Sequence, residues 1–238
     1  MNTIFSNICS RAVVDYRISP QSKITLENMG YHLILTKKVE NLYDAVDGHV
    51  DMQLFVADNK IIVAPEVYNY YYNFLGENVV CGVEKLRGKY PFDILYNAAY
   101  VGEFIICNKA HTAPEILEFA KNANKSIIDV KQGYSKCSVG IIGKNAIVTA
   151  DITIAKKCSE VGIDTLLIEP GHIELKGMEY GFIGGTCGMI ADNIIAFNGE
   201  LNTHPQGKEI IRICNKHKIE VIELKKGPLE DIGSIFTI

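Results

Sequence analysis

Three side chains in this sequence are of the types that a thiol-based catalytic site uses: Cys187, His49 and Asp51. A thiol can act as a nucleophile, a histidine can take up its proton, and a carboxylate can orient the histidine. His49 and Asp51 belong to an alternating segment, residues 49–55, that we interpret as a strand. Side chains two positions apart on a strand face the same side, so these two can act together. The sequence therefore predicts a catalytic set of nucleophile, base and orienting group.

Two other interpretations of these three residues stay open. A His-x-Asp pair with a cysteine can bind a metal ion, but one scattered set of ligands does not define a site, and we expect no metal. Alternatively, each polar group hydrogen bonds with neighbouring backbone or water, and Cys187 is a small core residue.

Other polar residues lie on segments that we interpret as strands lining a central channel. Buried polar groups need hydrogen-bond partners or a ligand. We therefore predict that four of them bind a substrate: Asn97, Ser138, Asp231 and Ser234.

Cys187 lies in the glycine-rich stretch 180–189, Tyr-Gly-Phe-Ile-Gly-Gly-Thr-Cys-Gly-Met. Backbone without Cβ atoms lets a strand bend sharply, or lets another backbone or a ligand approach closely. We expect this stretch to be a point of close contact in the fold.

Composition and motifs exclude several classes of function. The 238 residues carry a net charge of −4, so we expect neither nucleic acid nor an anionic membrane as a partner. The seven cysteines include no Cys-x-x-Cys pair, which indicates reduced thiols in a cytoplasmic protein. Residues 1–7 lack the pattern of a signal peptide, and no apolar run approaches the ~20 residues of a membrane span.

Phosphate-binding loops are absent from the sequence. The segment 82–89 is one residue too long for a P-loop, and Tyr90 follows where Ser or Thr is needed. The glycines of residues 180–189 do not form a Gly-x-Gly-x-x-Gly motif. We expect no nucleotide and no other cofactor.

A repeated unit of strand, strand, helix and strand runs along the chain. The turns before each second strand correspond at Lys60, Glu103, Asn145 and Asn193, at spacings of 43, 42 and 48 residues. Such periods are typical of repeat arrays. The chain begins with part of a unit and ends with the single strand that this part lacks. We therefore predict an α/β fold in which residues 1–238 form one domain of five modules, closed by pairing of the terminal segments.

A closed arrangement of five such modules resembles the pentein superfamily of guanidine-modifying enzymes, the five-module α/β propellers. The final stretch, residues 227–238, also resembles an uncharacterised bacterial branch of that superfamily. The resemblance implies a cysteine thiolate that attacks the guanidinium carbon, a histidine as acid and base, and carboxylates that hold the cation.

Both of the chemical groups that the superfamily uses are missing from their expected positions. The pattern that precedes the catalytic cysteine corresponds to residues 233–236 here, and Thr237 follows in place of the thiol. The region expected to hold the histidine is residues 134–138, Tyr-Ser-Lys-Cys-Ser. The sequence therefore favours a protein that binds a small polar or cationic molecule without the usual chemistry. The alternative is a hydrolase with Cys187 as a relocated nucleophile and His49 as its base. A third alternative is a ring that binds only other proteins.

Overall fold

The computed structural model describes residues 10–238. Cys9 and the segment 1–7, in which we expect no signal peptide, lie outside the described residues. Within this range no helix has both the length and the apolar character needed to cross a bilayer.

The described chain has a mixed α/β fold with five three-stranded sheets. In each sheet the central strand is antiparallel to one neighbour and parallel to the other. Grouped by sheet, the strands are β1 (Arg11–Val14), β2 (His32–Leu35) and β15 (Phe236–Thr237); β3 (Leu54–Ala57), β4 (Lys60–Val63) and β5 (Val79–Cys81); β6 (Ala99–Val101), β7 (Phe104–Cys107) and β8 (Ser126–Asp129); β9 (Val139–Ile142), β10 (Ala146–Thr149) and β11 (Asp164–Leu167); β12 (Cys187–Ala191), β13 (Ile194–Phe197) and β14 (Glu220–Glu223).

A helix connects the two parallel strands of every sheet, as parallel pairing requires a crossover. The α-helices are α1 (Pro20–Asn28), α2 (Val50–Gln53), α3 (Tyr68–Leu75), α4 (Pro114–Asn122), α5 (Ser135–Ser138), α6 (Ile152–Glu160) and α7 (Gly207–Lys216). Short 3-10 helices occupy Pro65–Val67, Gly76–Asn78, Lys109–His111, Ile183–Thr186 and Leu201–Thr203. The predicted succession of strand, strand, helix and strand is therefore present at each of the four repeated turns.

Local sequence signals explain where several of these helices begin. Pro20 and Pro114 occupy the first turns of α1 and α4, where a missing N–H costs nothing. Asp151 caps α6 by accepting the main-chain N–H groups of Thr153 and Ile154 at 2.8 and 2.9 Å. The inward face of α6, which includes Ile154 and Cys158, packs against β9 and β10.

The two ends of the described chain pair with each other, as the sequence predicts. β15 lies antiparallel to β1, with Ala12 opposite Thr237 and Val13 opposite Phe236. The main-chain groups of Arg11 and Ile238 extend this ladder with hydrogen bonds of 3.3 and 2.9 Å. The last strand thus supplies the antiparallel neighbour that the first sheet otherwise lacks.

The prediction of one continuous strand over residues 49–55 is wrong. Residues Val50–Gln53 form a single helical turn, and the strand begins only at Leu54. The main-chain N–H of Asp51 donates to the carbonyl of Gly233 at 3.1 Å instead of joining a sheet ladder. Helical turns also precede β9 and β12, at Ser135–Ser138 and Ile183–Thr186. At residues 50–53, the contact with Gly233, which is distant in sequence, therefore overrides the strand that the alternating pattern predicts.

The six described cysteines are free. Five of them are buried, whereas Cys81 is exposed. The glycine-rich stretch makes the expected close contact, because a Cβ on Gly188 would overlap the carbonyl oxygen of Ile235. This contact holds β12 against the segment that leads into β15.

We expect Gly188→Ala to lower the free energy of unfolding by about 1–3 kcal/mol, because the added methyl group forces two backbones apart. Urea denaturation measures the change. Ser159→Ala, on the exposed side of α6, serves as the control and should leave stability nearly unchanged. Equal stability of Gly188→Ala and the wild type would contradict this close packing.

Candidate functional site

Most of the predicted site residues converge on one buried cluster. It is built from the turn α2, the segment before β6, the turn α5 and the segment before β15. Every member is less than 5% exposed. The members are His49, Asp51, Asn97, Lys136, Cys137, Asp231 and Ser234.

Ser234 links a carboxylate to a buried ammonium group. Its hydroxyl oxygen lies 2.8 Å from Oδ2 of Asp51 and accepts a hydrogen bond of 2.8 Å from Nζ of Lys136. Nζ also donates to the carbonyl of Gly184 at 3.1 Å. Ser234 adopts a φ of +76°, a left-handed conformation that is uncommon for residues other than glycine. The hydrogen bonds of its side chain offset the cost of this conformation.

His49 and Asp231 face each other across the cluster. Nδ1 of His49 lies 3.7 Å from Oδ1 of Asp231, which is too far for a hydrogen bond. Nδ1 has no hydrogen-bond partner in the described structure, and neither has Oδ1 of Asp51. Buried polar atoms are normally satisfied, so a water or ligand is expected beside these two atoms.

The glycine-rich stretch fits closely around Asp231. Its carboxylate accepts the main-chain N–H of Phe182 at 2.8 Å and that of Gly233 at 2.9 Å. A Cβ on Gly185 would overlap this carboxylate, and one on Gly181 would lie 2.5 Å from Cβ of Asp231. The glycines are therefore needed for the approach of a carboxylate as well as for the approach of backbone.

Asn97 positions the turn α5 beside α2. Its side-chain N–H group donates to the carbonyl of Asp51 at 3.1 Å and to Sγ of Cys137 at 3.0 Å. Its oxygen accepts the main-chain N–H of Lys136 at 2.7 Å. Asn97 is thus a bridge between turns, and these bonds occupy the side chain that we predicted to contact a substrate.

A cavity of about 300 Å³ opens onto this cluster. One wall is aromatic, with the rings of Tyr134 and Phe182 stacked at a centroid distance of 6.2 Å. The polar and ionisable side chains of the lining are His49, Tyr43, Tyr134, Cys137, Glu179, Tyr180 and Asp231. We refer to it as the central cavity.

Burial controls the charges at the central cavity. It raises the pKa of Asp231 to about 6, although two main-chain N–H groups and Lys136 favour the charged form. Burial also raises the pKa of Asp51 and lowers that of His49. At neutral pH we therefore expect a neutral His49 beside an ionised Asp231.

Cys137 is the thiol that lines the central cavity. Burial raises its pKa well above the usual value, and the negative charges of Asp51 and Asp231 act in the same direction. The isolated protein therefore holds Cys137 as a neutral thiol. A cation in the cavity would reverse this electrostatic balance and favour the thiolate.

Two predicted site residues lie apart from the cluster. Cys187 packs in an apolar cluster with Ile183 and Ile195, and burial raises its pKa to about 11. No hydrogen bond joins Cys187 to His49 in residues 10–238. Ser138 lines a different cavity, which has Phe182 in common with the central one.

Lys136 and Cys137 lie in the cluster but were not among the site residues predicted from the sequence. Both precede Ser138 in a segment that we interpreted as a strand. The signal for them was present, because residues 134–138 are the region in which the resemblance implies a catalytic group.

In the described range, no group of three His, Cys, Asp or Glu side chains is arranged to hold a metal ion.

Comparison of the fold with solved structures finds guanidine-modifying enzymes of the pentein superfamily. A mutant dimethylarginine dimethylaminohydrolase from Pseudomonas aeruginosa, complexed with citrulline, matches with a TM-score of 0.57 at 9% identity, covering 95% of this chain and 94% of that one. The amidinotransferase SxtG from Microseira wollei matches with a TM-score of 0.54 at 12% identity, covering 97% and 94%. The cyanobacterial arginine dihydrolase ArgZ matches with a TM-score of 0.54 at 10% identity, covering 91% of this chain and 36% of that one. The chain therefore has the pentein fold.

A family model described as a family of unknown function, DUF6873, matches residues 13–236. No curated protein matches the sequence.

We expect Lys136→Met to lower the free energy of unfolding by about 3–5 kcal/mol at pH 7, because it leaves buried carboxylates without a neutralising charge. The loss should be smaller at pH 5, because Asp231, with its raised pKa, is then protonated. Urea denaturation at both pH values measures this difference.

The matched control is Lys156→Met, which removes an exposed ammonium group from α6. It should change stability by less than about 0.5 kcal/mol at either pH. An equal loss for Lys136→Met at pH 7 and pH 5 would contradict the charge coupling between Lys136 and the carboxylates.

Proposed function

The chain belongs to the family of unknown function DUF6873, and we propose that it binds a small cationic molecule of the guanidine or amidine type in the central cavity. The proposal includes the arrangement of the five sheets as a pseudo-fivefold ring within one domain, residues 1–238. The repeated sheet composition and the pairing of β15 with β1 support that arrangement.

An imbalance of buried charge carries the proposal. Asp51 and Asp231 contribute two negative charges when both are ionised, and Lys136 contributes one positive charge. His49 is neutral at pH 7 because burial lowers its pKa. When both carboxylates are ionised, one negative charge has no partner in the buried site, which is costly unless a cation enters.

The lining of the central cavity suits a planar cation. A guanidinium group only donates hydrogen bonds, and Nδ1 of His49 and the carboxylate of Asp231 provide acceptors. The stacked rings of Tyr134 and Phe182 offer an aromatic face, which attracts cations. Enzymes with the same fold are named for dimethylarginine and arginine, which both carry a guanidine group, and this supports the same ligand class here.

The free thiols of the described chain also support our proposal that the protein works in the cytoplasm.

Binding of butylguanidine, agmatine or arginine should strengthen as the pH rises through about 6, because Asp231 ionises in that range. Below it, each pH unit should weaken binding about tenfold. Isothermal titration calorimetry from pH 5 to pH 8 measures this profile. Asp231→Asn should weaken binding at pH 8 by at least about tenfold and flatten the profile.

The control for this variant is Asp192→Asn, which removes an exposed carboxylate from the turn between β12 and β13. It should leave both affinity and pH profile unchanged. The proposal is overturned if none of the three cations binds, or if Asp231→Asn binds them as tightly as the wild type.

A second candidate function is hydrolysis of an amidine C–N bond, and the presence of a thiol in the central cavity favours it. The sequence points to Cys187 as the nucleophile, whereas the structure supports Cys137, which lines the cavity with His49. The Cys137 sulfur would bond to the amidine carbon while the C–N bond to the leaving amine breaks. The thiol proton would pass to that amine through His49. Water oxygen would then replace the sulfur, returning one proton to it and releasing the other to solvent.

Labelling by 2-chloroacetamidine tests this second function, because the thiol sulfur displaces chloride from a reagent that carries the amidinium charge. We expect mass spectrometry to find the label on Cys137, since a bound cation favours its thiolate. Neutral iodoacetamide, as the control reagent, should label the exposed Cys81 before the five buried cysteines of the described range. Label on Cys187, or equal labelling of Cys137 by the charged and neutral reagents, would contradict the assignment.

A further inference from the structure

A second cavity of about 280 Å³ shares part of its lining with the central cavity. The two share Tyr180 and Phe182 as lining residues. Consecutive residues of α5 also contribute to the two linings, Cys137 to the central cavity and Ser138 to the second. Gly181, in the wall of the second cavity, touches Asp231 of the central one. The two cavities are therefore adjacent parts of one region.

The second cavity contains a buried hydroxyl group without a partner. Ser138 is 3% exposed, and its Oγ has no hydrogen-bond partner among the described residues. Leaving a buried hydroxyl unsatisfied costs about 1–3 kcal/mol. A ligand that donates a hydrogen bond to this oxygen would remove that cost.

Acidic side chains complete the lining of the second cavity. One oxygen of Asp151 caps α6, while the other has a single long contact of 3.5 Å with Nε2 of Gln132 and so retains accepting capacity. Glu169 contributes a second carboxylate, which is exposed at the cavity wall. Among residues 10–238, neither cavity is lined by a lysine or an arginine. The second cavity therefore provides acceptors and negative charge, and its described lining has no lysine or arginine that would pair with an anion.

We propose that the second cavity binds a protonated amino group at the far end of the same ligand, so that the protein selects a guanidino- or amidino-alkylamine over an amino acid. This inference rests on the proposed binding of a cation in the central cavity. An ammonium group has three donors, which suit the hydroxyl of Ser138 and the carboxylates of Asp151 and Glu169. An amino acid would bring a carboxylate to the same place, where like charges repel it.

Three compounds separate the contributions of the two ends. Butylguanidine has the guanidinium group alone, agmatine adds an amino group to the same four-carbon chain, and arginine adds a carboxylate as well. Calorimetry at pH 8 should show that agmatine binds about tenfold more tightly than butylguanidine, because the added ammonium group makes charge-assisted hydrogen bonds. Arginine should bind more weakly than agmatine.

Variants of the second cavity should affect agmatine alone. Ser138→Ala and Glu169→Gln should each weaken agmatine binding about threefold to tenfold and leave butylguanidine unchanged. Asp151→Asn should act in the same way, and it retains the helix cap because asparagine caps well. Glu160→Gln is the matched control: it removes an exposed carboxylate from α6 outside both cavities and should change neither affinity.

The outcomes distinguish the two proposals. If butylguanidine and agmatine bind equally, or if Ser138→Ala and Glu169→Gln weaken both compounds to the same extent, the second site is overturned while the central one stands. If arginine binds more tightly than agmatine, the proposed selectivity is likewise overturned. If none of the three compounds binds, both proposals fail. Glu169→Gln alters only an exposed side chain, so it tests the inference even if Ser138→Ala does not fold.

Discussion

The return of residues 231–237 to the centre of the molecule is the interaction on which the rest of the structure depends. Main-chain N–H groups of Ile232 and Ser234 donate to the carbonyl of Gly185 at 3.1 and 2.9 Å. The carbonyl of Gly233 accepts from Asp51, and Phe236 pairs with Val13 of β1. One short segment therefore joins α2, the glycine-rich stretch and the first sheet. The same segment carries Asp231 and Ser234, so the contacts that tie the chain ends also place the charged groups.

The charged cluster is better explained by binding than by stability. Taking a carboxylate and an ammonium group out of water is costly, and apolar residues of the same volume often give equal or greater stability. Lys136, Asp51 and Asp231 are nevertheless all less than 5% exposed. Ser234 adds a left-handed backbone conformation, and such strain is found most often at functional sites. A site that gains its last charge from a ligand accounts for both features.

The succession of strands and helices could be predicted from the sequence because each unit repeats the same local signals. The turns at Lys60, Glu103, Asn145 and Asn193 all precede central strands, and the missing strand of the first sheet is found at the C-terminus. Polar residues in otherwise apolar segments also indicated His49, Asp51, Asp231 and Ser234. A polar residue within an apolar segment stands out in the sequence, because polar residues are usually exposed. In the structure all four of these residues are buried in the cluster.

Lys136 and Cys137 could not be found in the same way, because their roles depend on contacts far away in sequence. A lysine is ordinarily exposed, and the buried ammonium group of Lys136 depends on hydrogen bonds to Ser234, 98 residues away, and to Gly184. The helical turn α5 that carries these two residues also could not be predicted, because an alternating pattern indicates a strand. Cys187 was predicted as the nucleophile because glycines surround it in the sequence. Those glycines instead allow Asp231 and Ile235 to approach closely.

Ligand binding and thiol chemistry have the same electrostatic requirement at this site. Without a cation, the pKa of Cys137 is raised by burial and by two neighbouring carboxylates, so the thiol stays protonated. A bound guanidinium would offset the charge of Asp231 and place its electron-poor carbon within the cavity that Cys137 lines. The cation that we propose for the cavity would therefore generate the nucleophile that attacks it. The difference between a binding protein and a hydrolase then lies in whether His49, whose pKa is lowered by burial, can accept the proton that Cys137 releases.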